Sequence, residues 1–504
     1  MSKLLYDENE WSFQQIENVY DACEEIALSE LSLNLYRNQL EIISSEQMLD
    51  AYASNGMPMY YRHWGFGRQF IREERKYRKG LTGLAYEIVI NSDPCINYLM
   101  EENSMTTQAC VIAHAAFGHN HFFKNNYLFK QWTDASYIID YLVYARNYVA
   151  ECEEKYGLEI VEQFLDSCHA LANHGINKYK RPQTLSLKDE EKKKQERAAY
   201  LEKHYNDLWS TIPQKPEKEE EENSQLENLN SNMLAQSEEN ILYFIENYSP
   251  VLESWQRELV RIVRKISQYF YPNYQTKTMN EGFACFVHFY IMNRLYDKKL
   301  INEGAMLEFL TLHTGVVLQR PYNSRYYNGL NPYYVGFEMF RDIKRICTDP
   351  TKDEFDLFPD IAGKGNWLET ILKAVANYRD ESFIRQFLSP TLMKKLGLFT
   401  LNNDDLKDEY LVTDIQNREG FRHIRDVLAK NYELINMFPD IQITDVNLKG
   451  NRTLSLTHYM TDNKHLNHSD ARLVLSHLQK LWGYKVHLTS VDKDNKVSWS
   501  ATGE

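Results

Sequence analysis

Ala109-Cys110-Val111-Ile112-Ala113-His114-Ala115-Ala116-Phe117-Gly118-His119-Asn120-His121 is the stretch from which the rest of the chain is read. Five small or apolar residues lead into three histidines at 114, 119 and 121. Its counterpart is Asn280-Glu281-Gly282-Phe283-Ala284-Cys285-Phe286-Val287-His288. There a carboxylate and a fourth histidine lie seven residues apart, about two helical turns, on nearly one face. Both runs carry apolar residues at helical spacing. Imidazole and carboxylate together are the donor set of a catalytic zinc or iron site.

Working outward, the five-residue step from His114 to His119 is the first difficulty. On an ideal α-helix it separates the two side chains by about 140°. The pair can aim at one ion only if the helix carries a π-bulge or ends near Gly118. An end at Gly118 is expected, since glycine tolerates the left-handed conformation at a helix terminus. It would leave His119 and His121 free to turn inward. The second segment, Asn280 to Ala284, is similar to the run that carries the third zinc ligand in gluzincin aminopeptidases. The expected ligands are therefore His114, His119 and Glu281, around zinc with an open fourth position.

The residue after the first histidine is Ala115, not the glutamate that acts as base in H-E-x-x-H enzymes. Glu87, on a strand expected over 84–91, is the candidate replacement. His121 and His288 are the other candidates for moving protons. The plain alternative is a set of hydrogen-bonded core histidines, with Cys285 packing beside them.

The chain has 504 residues, a net charge of −14 and 43% hydrophobic residues. A large core can be built, and no basic excess exists to displace counterions, so a general nucleic-acid binder is excluded. The seven cysteines are scattered without a C-x-x-C pair, which fits a reducing compartment. No apolar leader and no run of roughly 20 apolar residues is visible, so a cytoplasmic protein without a membrane span is expected.

Residues 9–56 read as helical. Residues 104–118, 133–177, 238–270 and 336–347 do too. Lys188 to Arg197 and Glu217 to Glu222 are charge runs, so 183–240 reads as a solvated insert. Aromatic patches at 57–70 and 321–334 read as packing, with a substrate groove as the alternative. Beyond 400, strand 409–415, helix 417–433, strands 440–447 and 452–459, helix 469–482 and strand 484–491 follow. That order is β-α-β-β-α-β. The expected fold class is α+β. A mainly helical domain over 1–380, with a zincin-like (gluzincin-like) core, precedes a smaller ferredoxin-like domain over 381–504.

Several longer segments resemble the stage V sporulation protein R family. They are Gly56-Met57-Pro58, His63-Trp64-Gly65-Phe66-Gly67, Tyr86 to Pro94, Gly118 to Asn126, Met279 to Gly282, Asn331-Pro332-Tyr333 and Asp440 to Gly450. The resemblance runs over about 10–490. It implies a role in spore cortex formation, and a serine-kinase-like partner with a stress or stationary-phase programme in relatives. Two expectations follow. One is a zinc-dependent peptidase or amidase acting on peptidoglycan or its precursors. The other is a non-catalytic scaffold or regulator with a structural or vestigial metal site.

Overall fold

The computed structural model describes residues 4–53, 61–66, 68, 87–178, 237–327, 329–402, 411–415, 417, 420–447, 450–462 and 464–503. Most of the expected charged insert, up to residue 236, lies outside the described residues. So does much of the first aromatic patch. The described residues form two compact units, one of 1–164 and 266–438, the other of 165–265 and 439–504.

The first unit is mostly helical around a small sheet. Its strands are β1 (Asn38–Ile43), β2 (Glu87–Ile90) and β3 (Cys95–Met100). They lie in the order β1-β3-β2, with β1–β3 parallel and β3–β2 antiparallel. The expected helical stretch over 9–56 is corrected here. A helix at Phe13–Ser29 and another at Ser45–Ala53 flank β1. The central strand β3 was not foreseen, because five of its six residues are buried and no period-two alternation marks it.

Helices then supply the core. Met105–Ile112 is capped by Ser104, whose hydroxyl accepts the Thr107 N–H. The 44-residue helix Ser254–Asp297 carries Glu281, and Glu303–Val316 and Pro332–Thr348 follow it. Their apolar faces join one buried cluster with residues from Phe13–Ser29 and Met105–Ile112. Asp380 anchors the turn ahead of Glu281, its two oxygens accepting the Thr278 and Met279 N–H groups at 2.8 Å each.

The C-terminal elements form close to where the sequence predicts them, but their pairing differs. β4 (Phe399–Asn402) and β5 (Leu411–Ile415) make a separate two-stranded sheet in the first unit. The second unit holds β6 (Asp440–Val446), β7 (Leu454–Tyr459), β8 (Val486–Val491) and β9 (Val497–Thr502) in sequential order. β7–β8 is parallel across the helix His468–Trp482, and the outer pairs are antiparallel. The expected ferredoxin-like βαββαβ domain is therefore corrected to β-β-α-β-β. β5 satisfies its backbone against β4, and β9 takes the free edge of β8. Leu475, Leu478, Leu481 and Trp482 bury one face of the crossover helix. No helix among the described residues is long and apolar enough to cross a membrane.

Candidate metal centre

The helix that starts at Met105 does not end at Gly118. Over Ala113–His119 it widens into a π-helical segment and continues as Asn120–Asn125. The Asn120 N–H reaches back five residues to the Ala115 carbonyl. Bonding of this period brings side chains five apart towards one face, so His114 and His119 meet, their ring centroids 4.7 Å apart. Gly118 serves contact rather than termination. A Cβ there would stand 2.6 Å from Ala284 Cα, on the helix that carries Glu281. Gly282 is held as closely to Gly336, where an added Cβ would lie 2.4 Å from its Cα.

Three elements thus converge. His114 Nε2 lies 3.2 Å from Glu87 Oε1, on β2, and 3.6 Å from Glu281 Oε2. His119 Nε2 lies 3.5 Å from the same Glu281 oxygen. His114 Nε2 is buried and makes no hydrogen bond. Donors on a tetrahedral ion with bonds of about 2.0–2.1 Å stand roughly 3.3 Å apart. The three measured separations bracket that edge. Glu87, His114 and His119 offer ligand atoms all within 4.8 Å of one another.

The electrostatics ask for positive charge at this point. Burial raises the proton affinity of Glu281, but the His119 charge and the contacts with both imidazoles outweigh it and hold the carboxyl far below its usual range. Burial alone would lower His119, and the Glu281 carboxylate instead pushes it up to about 9. Glu87 moves upward, chiefly through burial, with the two imidazoles opposing.

The outer contacts orient both rings. His119 Nδ1 is 2.9 Å from Asn280 Oδ1, an acceptor, so Nδ1 carries a proton and Nε2 faces Glu281. His114 Nδ1 is 2.8 Å from His288 Nδ1, and His288 Nε2 is 2.7 Å from His313 Nδ1. A second grouping, His114, Cys285 and His288, also has donors within 4.8 Å. Its 2.8 Å imidazole pair is a hydrogen bond, too close for two ligands on one tetrahedral ion. The Cys285 thiol is pushed well above its ordinary range by burial and then by Glu281, as fits packing.

His114, His119, Glu281, Glu87 and His288 are therefore brought together. His121, the other candidate for moving protons, is not. Its Nδ1 accepts the Asn34 N–H at 2.9 Å, its ring packs on Phe283, and burial lowers it to about 4. The sequence reading missed His313 and the orienting role of Asn280. Asn280 lies next to Glu281 and was legible as polarity beside a ligand. His313 had no local signal.

The family described as SpoVR like protein matches residues 10–437, and the SpoVR-like C-terminal domain matches 439–493. A relative from Escherichia coli (strain K12), the uncharacterized protein YcgB, is 51% identical over 493 residues, covering 98% of this chain and 95% of its own. No solved structure matches.

Proposed function

The chain belongs to the SpoVR-like protein family, and from that premise we propose that it is a metal-dependent hydrolase with a gluzincin-like centre. His114, His119 and Glu281 hold zinc, and Glu87 acts as the base that Ala115 cannot supply. The observation that carries this reading is the pair of separations, 3.6 and 3.5 Å, that Glu281 Oε2 makes with His114 Nε2 and His119 Nε2. They fit the edges of one coordination polyhedron, around a buried imidazole nitrogen that makes no hydrogen bond. Held by these residues, zinc would supply an acidified water and a polarised carbonyl. Asn280 keeps the His119 proton on Nδ1. Glu87, its proton affinity raised by burial, is the base nearest the candidate ligands. The substrate class, a peptide or amide bond of peptidoglycan or a precursor, follows the sporulation name of the family, as does a role in the spore cortex.

One observation favours a second reading. Glu87 Oε1 is as near to His114 Nε2 as a ligand would be. If Glu87 takes the fourth vertex, the site is closed, and the protein is a scaffold or regulator with a structural metal.

The test is elemental mass spectrometry on protein purified without chelators and offered zinc, wild type beside His114→Ala and Glu281→Ala. About one zinc per chain, lost in both variants, is the expected result and leads to a peptidase and amidase screen. No metal in the wild type would sink both readings.

A further inference from the structure

Beyond the ligands, three imidazoles stand in line. His114 Nδ1 meets His288 Nδ1 at 2.8 Å, and His288 Nε2 meets His313 Nδ1 at 2.7 Å. The three histidines come from the π segment, the Ser254–Asp297 helix and the Glu303–Val316 helix. All are buried, at 5%, 2% and 4% exposure. From this geometry we infer that His288 and His313 are positioning residues, a polarised imidazole chain that fixes the tautomer of His114 and so presents its Nε2 lone pair to a metal. The inference rests on the metal reading proposed above.

The argument follows from donor and acceptor counting. Each contact in the chain needs one proton between two nitrogens. A metal on His114 Nε2 requires the proton of that ring to sit on Nδ1. His288 must then accept on Nδ1 and carry its own proton on Nε2, which donates to His313 Nδ1. Only one arrangement of neutral rings satisfies all three conditions. The surroundings of His288 and His313 are aromatic. Phe309 lies edge-on to His288, and Phe289, Phe309 and Phe337 pack around His313. Arg341 adds positive charge beside His313. Metal-bound histidines usually hand their second ring proton to a carboxylate or a carbonyl. Here two further histidines take that place, and in that arrangement His313 Nδ1 is the terminal acceptor.

Asparagine places its Oδ1 close to where a histidine has Nδ1, as an acceptor with no tautomer. Leucine fills similar space with no acceptor. The experiment measures Zn²⁺ affinity against a competing chelator, and the visible spectrum of the Co²⁺ form, in full-length wild type, His313→Leu, His313→Asn and the double variant His288→Asn/His313→Leu. His313→Leu should weaken zinc binding roughly 10–100-fold, the usual effect of losing such an outer partner, and alter the Co²⁺ bands. His313→Asn should restore affinity to within about threefold of wild type. In the double variant the amide oxygen introduced by His288→Asn accepts directly from His114. Residue 313 should then matter no longer, so this variant should bind more tightly than His313→Leu alone. Equal affinity of His313→Leu and wild type would overturn the inference while leaving the metal site standing. Equal weakening by His313→Leu and His313→Asn would overturn it too, because packing rather than an acceptor would then be the cause. Absence of metal from the wild type would remove the underlying reading itself.

Discussion

Glu87 is the residue that separates the two proposed readings. Its carboxylate is near enough to His114 to be a ligand, and burial raises its proton affinity as a base requires. Glu87→Gln keeps the shape and removes the charge. As a base, Glu87 would be lost at the cost of about 10²–10⁴-fold in hydrolysis with zinc retained, which is the expected outcome of paired metal and activity assays. Loss of zinc in this variant would favour the closed, structural site. Glu354 allows a cleaner electrostatic prediction. Its side chain is 1% exposed and accepts from Arg345, from the Thr351 N–H and from Thr391. Burial raises its carboxyl, but the Arg345 hydrogen bonds prevail and lower it to about 2. A depressed folded value means stability present above the unfolded value of about 4.3 and lost as pH falls towards 2. Glu354→Gln should cost about 2–4 kcal/mol at pH 7. In urea unfolding that deficit should shrink steadily below pH 4. A deficit unchanged at pH 3 would count against the ion pair. The candidate ligand residues were legible in the sequence because histidines and a glutamate on apolar helices are expensive unless used. His313 was not, because its only signal is a contact across 25 positions.

At the scale of elements, the π segment and the helix that carries Glu281 act as one unit. The five-residue histidine step already required either a bulge or a stop, and the bulge is what forms. Gly118 pointed towards a stop because its use is contact with Ala284, a relation between two helices that spacing along one helix does not reveal. Gly118→Ala should therefore push the two helices apart. The expected loss is about 1–3 kcal/mol, as for other overpacked interiors, with weaker zinc binding because His119 and Glu281 sit on opposite sides of that contact. Circular dichroism melts and metal content would read both effects. Gly157, where an added Cβ meets nothing but φ is +95°, is the control in which only backbone strain acts. If Gly118→Ala leaves zinc affinity intact, the close approach does not set the ligand geometry. The C-terminal elements show the same division. Period and turn chemistry located β5 to β8, though not β4 or β9, and the Gly450-Asn451 turn, where Asn447 Oδ1 accepts the Gly450 N–H at 2.8 Å. Pairing depends on which edge meets which, and β5 found β4.

Across the whole molecule, the candidate ligands all belong to one of the two units. Residues 87, 114, 119, 281, 288 and 313 fall within 1–164 and 266–438, whereas β6–β9 and their crossover helix fall in the other. The chain passes between the units at 164–165, 265–266 and 438–439, so linear sequence is a poor guide to which residues share a core. The last of these crossings also separates the stretches matched by the two family descriptions. A ligand that binds only the native form of one unit stabilises that unit by RT ln(1 + [L]/Kd), about 2.7 kcal/mol at a hundredfold excess over Kd. Calorimetry of the full chain should therefore resolve two transitions, and zinc should move one of them upward by several degrees while the other stays put. His114→Ala should abolish that shift without changing the unmoved transition. A single transition displaced as a whole by zinc would mean that the two units unfold together, and that the metal centre stabilises the β-sheet unit as much as the helical one that holds its ligands.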